Sequence, residues 1–380
     1  MEAISSSSVI VEVVQLELLD PYAPPAEQIW RELDEAAPRS YFVSWAWIEN
    51  WLACLPREVR AKLAVLREDG RPIAAFCVVK RTVNRLPMLA SRALYMNATG
   101  VPHLDNVWIE YNGLVGRDVS IGRLVDALPD DWDELFLPGL RADAFCGVEE
   151  STVRGFRVRV EKTVPSYFVD LDRVRANGYL ESLGSQTRSQ IRRSRKEAGA
   201  LELEVATDIE TALSIYRELV ALHQQTWQAR GEPGAWADPW FDRFHRRLIA
   251  HRFRHGEIQL VRVRSPKGTI GALYNFVHHG RVLQYQSGLG QFEDKKLKPG
   301  YITHAAAIEH AAASGLAVYD FLGGEMRYKQ SLSTDHTTLA WVRVQRQRMR
   351  FLVEDRLREL VKSPWIERVR AAVAPPHTPR

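Results

Sequence analysis

The sequence predicts a mixed α/β chain of the α+β kind, built from two similar units in tandem, each a mostly antiparallel mixed sheet flanked by helices. Three observations predict it. At 380 residues the chain exceeds what one hydrophobic core ordinarily organises, since domains cluster near roughly 100–150 residues. A pair of helices followed by a strand–turn–strand occurs twice. In the second unit a helix then crosses over to a further strand, which makes the sheet mixed.

Residues 10–19 alternate and are rich in valine, a strand pattern. Pro21, Pro24 and Pro25 end that strand, and a helix follows from about Ala26. Ser44 caps a second helix, in which Trp47, Ile48, Trp51 and Leu52 form an apolar face that reads as core. Residues 61–67, the turn Glu68-Asp69-Gly70-Arg71 and residues 72–79 make a hairpin, because Asp-Gly between apolar runs is a strong turn signal. Strands are expected over 93–97, 107–115 and 134–138, and a helix over 120–128.

The second unit repeats this grammar. A helix over 209–229 places Leu213, Tyr216, Val220, His223 and Trp227 on one face, and another spans 239–253. Strands over 258–264 and 269–277 flank the turn Ser265-Pro266-Lys267-Gly268. A strand over 281–288, a Lys-rich loop and a helix opening at Pro299-Gly300 follow. Strands over 317–322 and 338–346, then a basic helix over 347–362, complete the pattern, and the tail from Ala374 reads as frayed. The expected divisions are 1–165, 166–346 and 347–380.

Apolar residues make up 46% of the chain and charged residues 26%, which excludes disordered and fibrous classes. The net charge of +4 permits an anionic ligand without demanding nucleic acid. Cys54, Cys77 and Cys146 are odd in number and widely spaced, so they read as small buried hydrophobes in a reducing compartment. Glu2 and Glu12 flank the first apolar run with no basic segment before it, which argues against a secretory leader. No run reaches the ~18 apolar residues of a membrane span. A cytoplasmic protein is expected. His278-His279 and the pair His304/His310 lack ligand spacing, so no metal is expected.

The stretch Lys298-Pro299-Gly300-Tyr301, its Ala-rich helix, Val318–Gly324 and Tyr328-Lys329 resembles the C-terminal signature of the BioF2-like/CelD-like GNAT acetyltransferases. That family is related to the FemAB-type aminoacyl transferases, built from two GNAT folds in tandem. Phe42–Trp47 with its helix, the hairpin after it and the basic helix Thr187–Lys196 fit the same resemblance, which covers about residues 21–345.

The resemblance implies two GNAT-like halves, with the donor site in the second. A helix start exposes unpaired N–H groups and a positive dipole end, suited to phosphate. Lys298, Pro299, Gly300 and Tyr301 are thus the expected donor site for an acyl-CoA, with Lys295 and Lys296 adding charge. Common CoA-binding GNATs carry Gln/Arg-x-x-Gly-x-Gly/Ala here, whereas this chain has Leu297-Lys298-Pro299-Gly300. In GNAT folds the preceding strand gives a backbone donor to the acyl oxygen, which points to Gln286, Ser287 and Gly288.

Acyl transfer to an amine needs a base for the ammonium proton and an acid for the leaving group. Asp320 and Glu325 flank a Gly-Gly turn at a strand's C-terminal end, and Glu325 is the preferred base. Tyr328 is the candidate acid, and Lys329 a partner for carboxylate or phosphate. Arg188, Arg192 and Arg195 share one helix face and are candidate clamps for a phosphorylated acceptor, tRNA or an acidic head group. Asp105 and Glu110 are candidates for an acceptor cleft. The expected activity is N-acyl transfer from acyl-CoA to the amine of a small molecule or glycan precursor. The alternatives are an aminoacyl-tRNA-dependent transferase and a non-catalytic module binding nucleic acid or polysaccharide through the Arg188–Lys196 helix.

Overall fold

The computed structural model describes residues 14–37, 39–86, 89–142, 151–153 and 155–361. Cys146 and residues 10–13 of the expected first strand lie outside them. The first half of the chain runs through β1 (Gln15–Leu19), α1 (Pro24–Ala36), α2 (Trp45–Cys54), β2 (Ala61–Glu68), β3 (Arg71–Leu86), β4 (Leu89–Met96), β5 (Val115–Gly116), α3 (Ile121–Ala127), β6 (Glu134–Arg141), β7 (Ser151–Val153) and β8 (Phe156–Asp170). Next come α4 (Leu171–Asn177), α5 (Ser185–Ala198), β9 (Glu202–Val205), α6 (Ile209–Gln228), α7 (Pro239–Arg252), β10 (Ile258–Ser265), β11 (Gly268–His278) and β12 (Arg281–Leu289). The chain closes with α8 (Pro299–Ala313), β13 (Val318–Gly323), α9 (Arg327–Leu332), β14 (Asp335–Arg346) and α10 (Met349–Val361).

These strands form one sheet in the order β1-β2-β3-β4-β6-β14-β8-β13-β12-β11-β10-β9, with β5 and β7 attached to β3 and β8. The order is a palindrome. Strands β1 to β4 pair antiparallel and β4 runs parallel to β6; β9 to β12 pair antiparallel and β12 runs parallel to β13. At the centre β8 and β14 lie antiparallel, and each closes the other half: β14 pairs with β6, and β8 with β13. β8 therefore runs across the expected division at 165/166.

Local chemistry sets the elements. Pro24 and Pro25 occupy the first turn of α1, where a missing N–H is no loss, so that helix opens two residues earlier than expected. The Ser44 hydroxyl caps α2 by accepting the Trp47 N–H. Asp69 and Gly70 both take left-handed φ values, +49° and +74°, as a two-residue hairpin turn requires. The buried stripe of α6 is Ala212, Ile215, Tyr216, Leu219 and His223, one position round from the expected face. α1, α2, α6 and α7 pack into one central core on the sheet, with Trp47, Phe244, Tyr274, Phe276 and Tyr285 in mutual ring contact. β8, β9, α4 and α9 had no counterpart in the sequence reading. Among the described residues no helix is long and apolar enough to cross a membrane.

One expected strand is not a strand. Val107 ends a short 3-10 helix and residues 108–114 are irregular, with Trp108 and Tyr111 at left-handed φ of +43° and +49°. The segment fills a wedge where β4 and β6 part after Tyr95 and Phe136. The Asn112 amide donates to Met96 O on β4 (3.2 Å) and Pro138 O on β6 (2.9 Å), and its Oδ1 accepts from Asn97 Nδ2 at 2.8 Å. Packing into that gap outweighs its alternating pattern. In the second half β12 and β13 part in the same way after Leu283 and Asp320, and among the described residues no backbone bridge crosses that wedge. One wedge is plugged; the other is open. Asn112→Ala should therefore cost about 1–3 kcal/mol, because buried carbonyls lose their donor; urea unfolding measures it.

Candidate active site

The open wedge gathers residues from five elements. Past Leu283 the edge of β12 facing β13 has no strand partner, so its N–H and C=O groups are presented to the gap. A β-bulge falls there, as Tyr274 pairs with Gln286 and Asn275 with Gln284, leaving Tyr285 extra. The Tyr285 hydroxyl donates to Val107 O at 2.8 Å, tying the bulge to the first half. Gln286 and Ser287 are half-buried. Gly288 is a packing requirement, since a Cβ there would sit 2.4 Å from Leu219 O on α6.

α8 begins beside this edge. A Cβ on Gly300 would lie 3.2 Å from Leu289 Cδ1, so glycine brings the helix start close to β12. Pro299, Gly300 and Tyr301 are half-buried, and the helix start carries no side-chain cap. Lys298 is exposed, and its N–H donates to the buried Ser194 Oγ of α5 at 2.7 Å, which fixes the height of the helix start.

The far side of the wedge is the end of β13. Leu322 takes φ +61°, unusual for a branched side chain, and Asp320 Oδ1 accepts its N–H at 2.8 Å. Gly323 follows. Its N–H donates to Glu110 Oε2 (2.6 Å), and its carbonyl accepts from Lys329 Nζ (2.7 Å), which also reaches Leu322 O at 3.1 Å. Glu110 comes from the wedge-filling segment of the first half and Lys329 from α9, and each is 8% exposed. Burial pushes the Glu110 carboxyl up to about 7, against the opposing pull of Lys329. Burial likewise holds the Lys329 ammonium below the usual lysine range, with Glu110 and Asp320 pulling it back. Tyr328 stacks on His304 at 5.6 Å between centroids, and burial raises its phenol to about 12. His304 is itself pushed down to about 3, hence neutral.

The sequence candidates separate accordingly. Gln286, Ser287, Pro299, Gly300, Tyr301, Tyr328, Lys329 and Glu110 surround the wedge. Asp320 does not act there: it is fully buried and accepts from Tyr111 Oη and Arg281 (2.7 Å each), Ser166 and Leu322 N–H. Its carboxylate is saturated, which disqualifies it as a base. Glu325 is exposed beyond the turn. Asp105 caps a loop, accepting the Thr99 N–H and hydroxyl (2.8 Å) and the Gly100 N–H (2.7 Å). Arg188 and Arg192 pair with Glu181, and Arg195 with Glu309 on α8, so that basic face is spent on bracing α5. Sequence reasoning missed Tyr285 and Ser194. A bulge and a contact between distant helices leave no local signal. Among the described residues no group of histidine, cysteine or carboxylate side chains is placed to hold a metal.

Residues 185–330, which contain β12, α8 and β13, match the acetyltransferase (GNAT) domain family. A GNAT acetyltransferase domain therefore occupies most of the second half of the chain. The fold of the whole chain is similar to that of FemX, at 12% identity and a TM-score of 0.56, covering 86% of this chain and 98% of that one. A protein of unknown function from Bacteroides thetaiotaomicron aligns at 12% identity and 0.52, over 87% and 100%. The C-terminal domain of an Agrobacterium fabrum protein described as a lysylphosphatidylglycerol synthetase aligns at 10% and 0.50, over 88% and 96%. No curated protein matches the sequence. Such identities speak to the fold; the GNAT domain makes the protein an N-acyltransferase.

The Glu110 carboxyl gives this acyltransferase a pH signature. Its folded pKa lies above the ordinary 4.5, so its stabilising contribution is complete below that pH and is lost as pH rises through about 7. The stability of the wild type relative to Glu110→Gln should fall by about 3 kcal/mol between pH 4.5 and 8. Urea unfolding at constant ionic strength measures the difference.

Proposed function

We propose that the enzyme transfers an acyl group from an acyl-CoA thioester to the amine of a small molecule or glycan precursor in the open wedge, with Glu110 as general base. One observation carries the reading: a carboxyl raised to about 7 touches the Gly323 turn of β13, opposite the unpaired edge of β12. A base with a pKa near the working pH is both ionised and strong enough to take an ammonium proton.

In this reading the pantetheine arm lies along the β12 edge and the pyrophosphate meets the start of α8, at Pro299, Gly300 and Tyr301. Backbone N–H groups from Tyr285 to Ser287 polarise the thioester carbonyl. Glu110 takes the proton from the acceptor's ammonium. The freed nitrogen attacks the carbonyl carbon, the C–N bond forms, and the C–S bond then breaks. The departing thiolate takes a proton from Tyr328, and the phenolate regains one from the nitrogen of the new amide bond. Lys329 holds the two carbonyls of the turn and supplies positive charge beside the developing oxyanion. The second half, residues 166–346, carries the donor, while the first, 1–165, contributes the base. The pairing of Arg188, Arg192 and Arg195 with carboxylates favours a compact donor over tRNA. The buried free thiols of Cys54 and Cys77 suit a cytoplasmic enzyme.

Two outcomes test this. Glu110→Gln should lower kcat/KM by about 10²–10⁴-fold and remove the rise in rate through pH 7, read by thiol release from acetyl-CoA with a panel of amines. Gly300→Glu should abolish thermal stabilisation by CoA, with only a small fall in the unliganded melting temperature as its Cβ crowds Leu289. Stabilisation by aminoacyl-tRNA and none by CoA would overturn the donor assignment.

A further inference from the structure

The last described helix, α10, turns an apolar face to water. Its inner side is fixed to the first half. Phe351 and Glu354 are buried one turn apart, Glu354 accepts from Arg85 Nη1 at 3.1 Å, and the Arg85 guanidinium lies 5.9 Å from the Phe351 ring centroid. At the helix start Arg348 and Arg350 lie 3.0 and 2.9 Å from the buried Asp133, and Arg350 donates to Ala90 O at 2.7 Å.

Those contacts decide which residues face outward. Val353 stands about 200° round the helix from Phe351. Met349, Leu352 and Val353, spaced i, i+3, i+4 on that outer side, are 74%, 55% and 45% exposed. Among the described residues seven large apolar side chains are exposed, and three of them fall within these five positions. The sequence continues the same spacing with Leu357 and Leu360. A surface helix ordinarily gives its polar side to water, so a clustered apolar side marks a contact surface. The chemistry of acyl transfer uses none of these residues.

Charge selects the partner. Arg348, Arg350 and Arg356 are spent on partners within the fold. Residues 357–380 carry Arg358, Lys362, Arg368, Arg370 and Arg380 against Glu359 and Glu367, a net +3 of the +4 borne by the whole chain. A second copy docked about a two-fold axis would set that positive segment against itself. A nucleic-acid backbone would meet the charge and leave the apolar side chains in water. An anionic bilayer satisfies both, because its acyl boundary takes the apolar side chains while its head groups attract the cations.

We propose that α10 is an interfacial helix that docks the protein on an anionic lipid surface, with Met349, Leu352 and Val353 entering the acyl boundary and the basic residues that follow lying on the head groups. The proposal is independent of the donor and acceptor in the wedge.

The test sediments the full chain with vesicles of phosphatidylcholine alone and of equal parts phosphatidylcholine and phosphatidylglycerol. The wild type should bind the anionic vesicles, more weakly as salt is raised, and the neutral ones far less. Leu352→Gln/Val353→Gln removes apolar contact without adding charge that lipid would repel. Both positions are exposed, so its melting temperature should match the wild type, while its affinity for the anionic vesicles falls about tenfold or more. Met349→Gln, at the most exposed of the three positions, should weaken binding in the same direction. No binding by the wild type, equal binding to both kinds of vesicle, or unchanged binding in both variants would each overturn the proposal. So would a dimer in analytical ultracentrifugation that Leu352→Gln/Val353→Gln dissociates, because the apolar face would then belong to a second copy.

Discussion

The antiparallel pair β8–β14 at the centre of the sheet is the constraint on which the rest of the molecule depends. Each strand completes the sheet of the half it does not follow in the chain. The halves therefore share their middle strands and are held as one continuous sheet. Pro165 shows how closely this centre is fitted. A strand proline ordinarily breaks a ladder. Its carbonyl accepts the Gly324 N–H, so its side of the backbone faces the place where β13 ends and turns away. The missing N–H falls where no strand continues.

That shared centre explains how one half supplies a buried carboxyl to the other. The wedge-filling segment of the first half satisfies its own gap with Asn112 and, two residues earlier, delivers Glu110 to the end of β13. A carboxyl placed by the first half is thus desolvated against the second. Its neighbour Tyr111 shares Asp320 with Arg281, so the same short segment braces both Gly323 and the buried carboxylate of β13. The two halves repeat one strand pattern, with one wedge plugged and the other open.

Much of the fold was legible. The Asp69-Gly70 hairpin, the Ser44 cap, the strand–turn–strand at Ser265–Gly268 and the helix at Pro299-Gly300 all rest on chemistry within a few residues. The misreading of 107–115 as strand has a definite cause. Its alternation of apolar and polar residues is real, but what it fits is a gap between two diverging strands, and left-handed Trp108 and Tyr111 serve that gap. β8 escaped notice because charged residues and Pro165 dilute its pattern, and it is stabilised by two neighbours distant in sequence.

The sequence by itself determined the two-unit grammar, the helix start with its glycine and the Gly323-Gly324 turn, because caps, turns and periodicity are interactions between residues close in the chain. Only the tertiary structure decided which carboxylate is free. Asp320 and Glu110 are equivalent as letters, yet four donors converge on one, while the other is buried with a single backbone donor and an ammonium nearby. Desolvation and the count of hydrogen-bond partners set a carboxyl's chemistry, and both are properties of what folds around it.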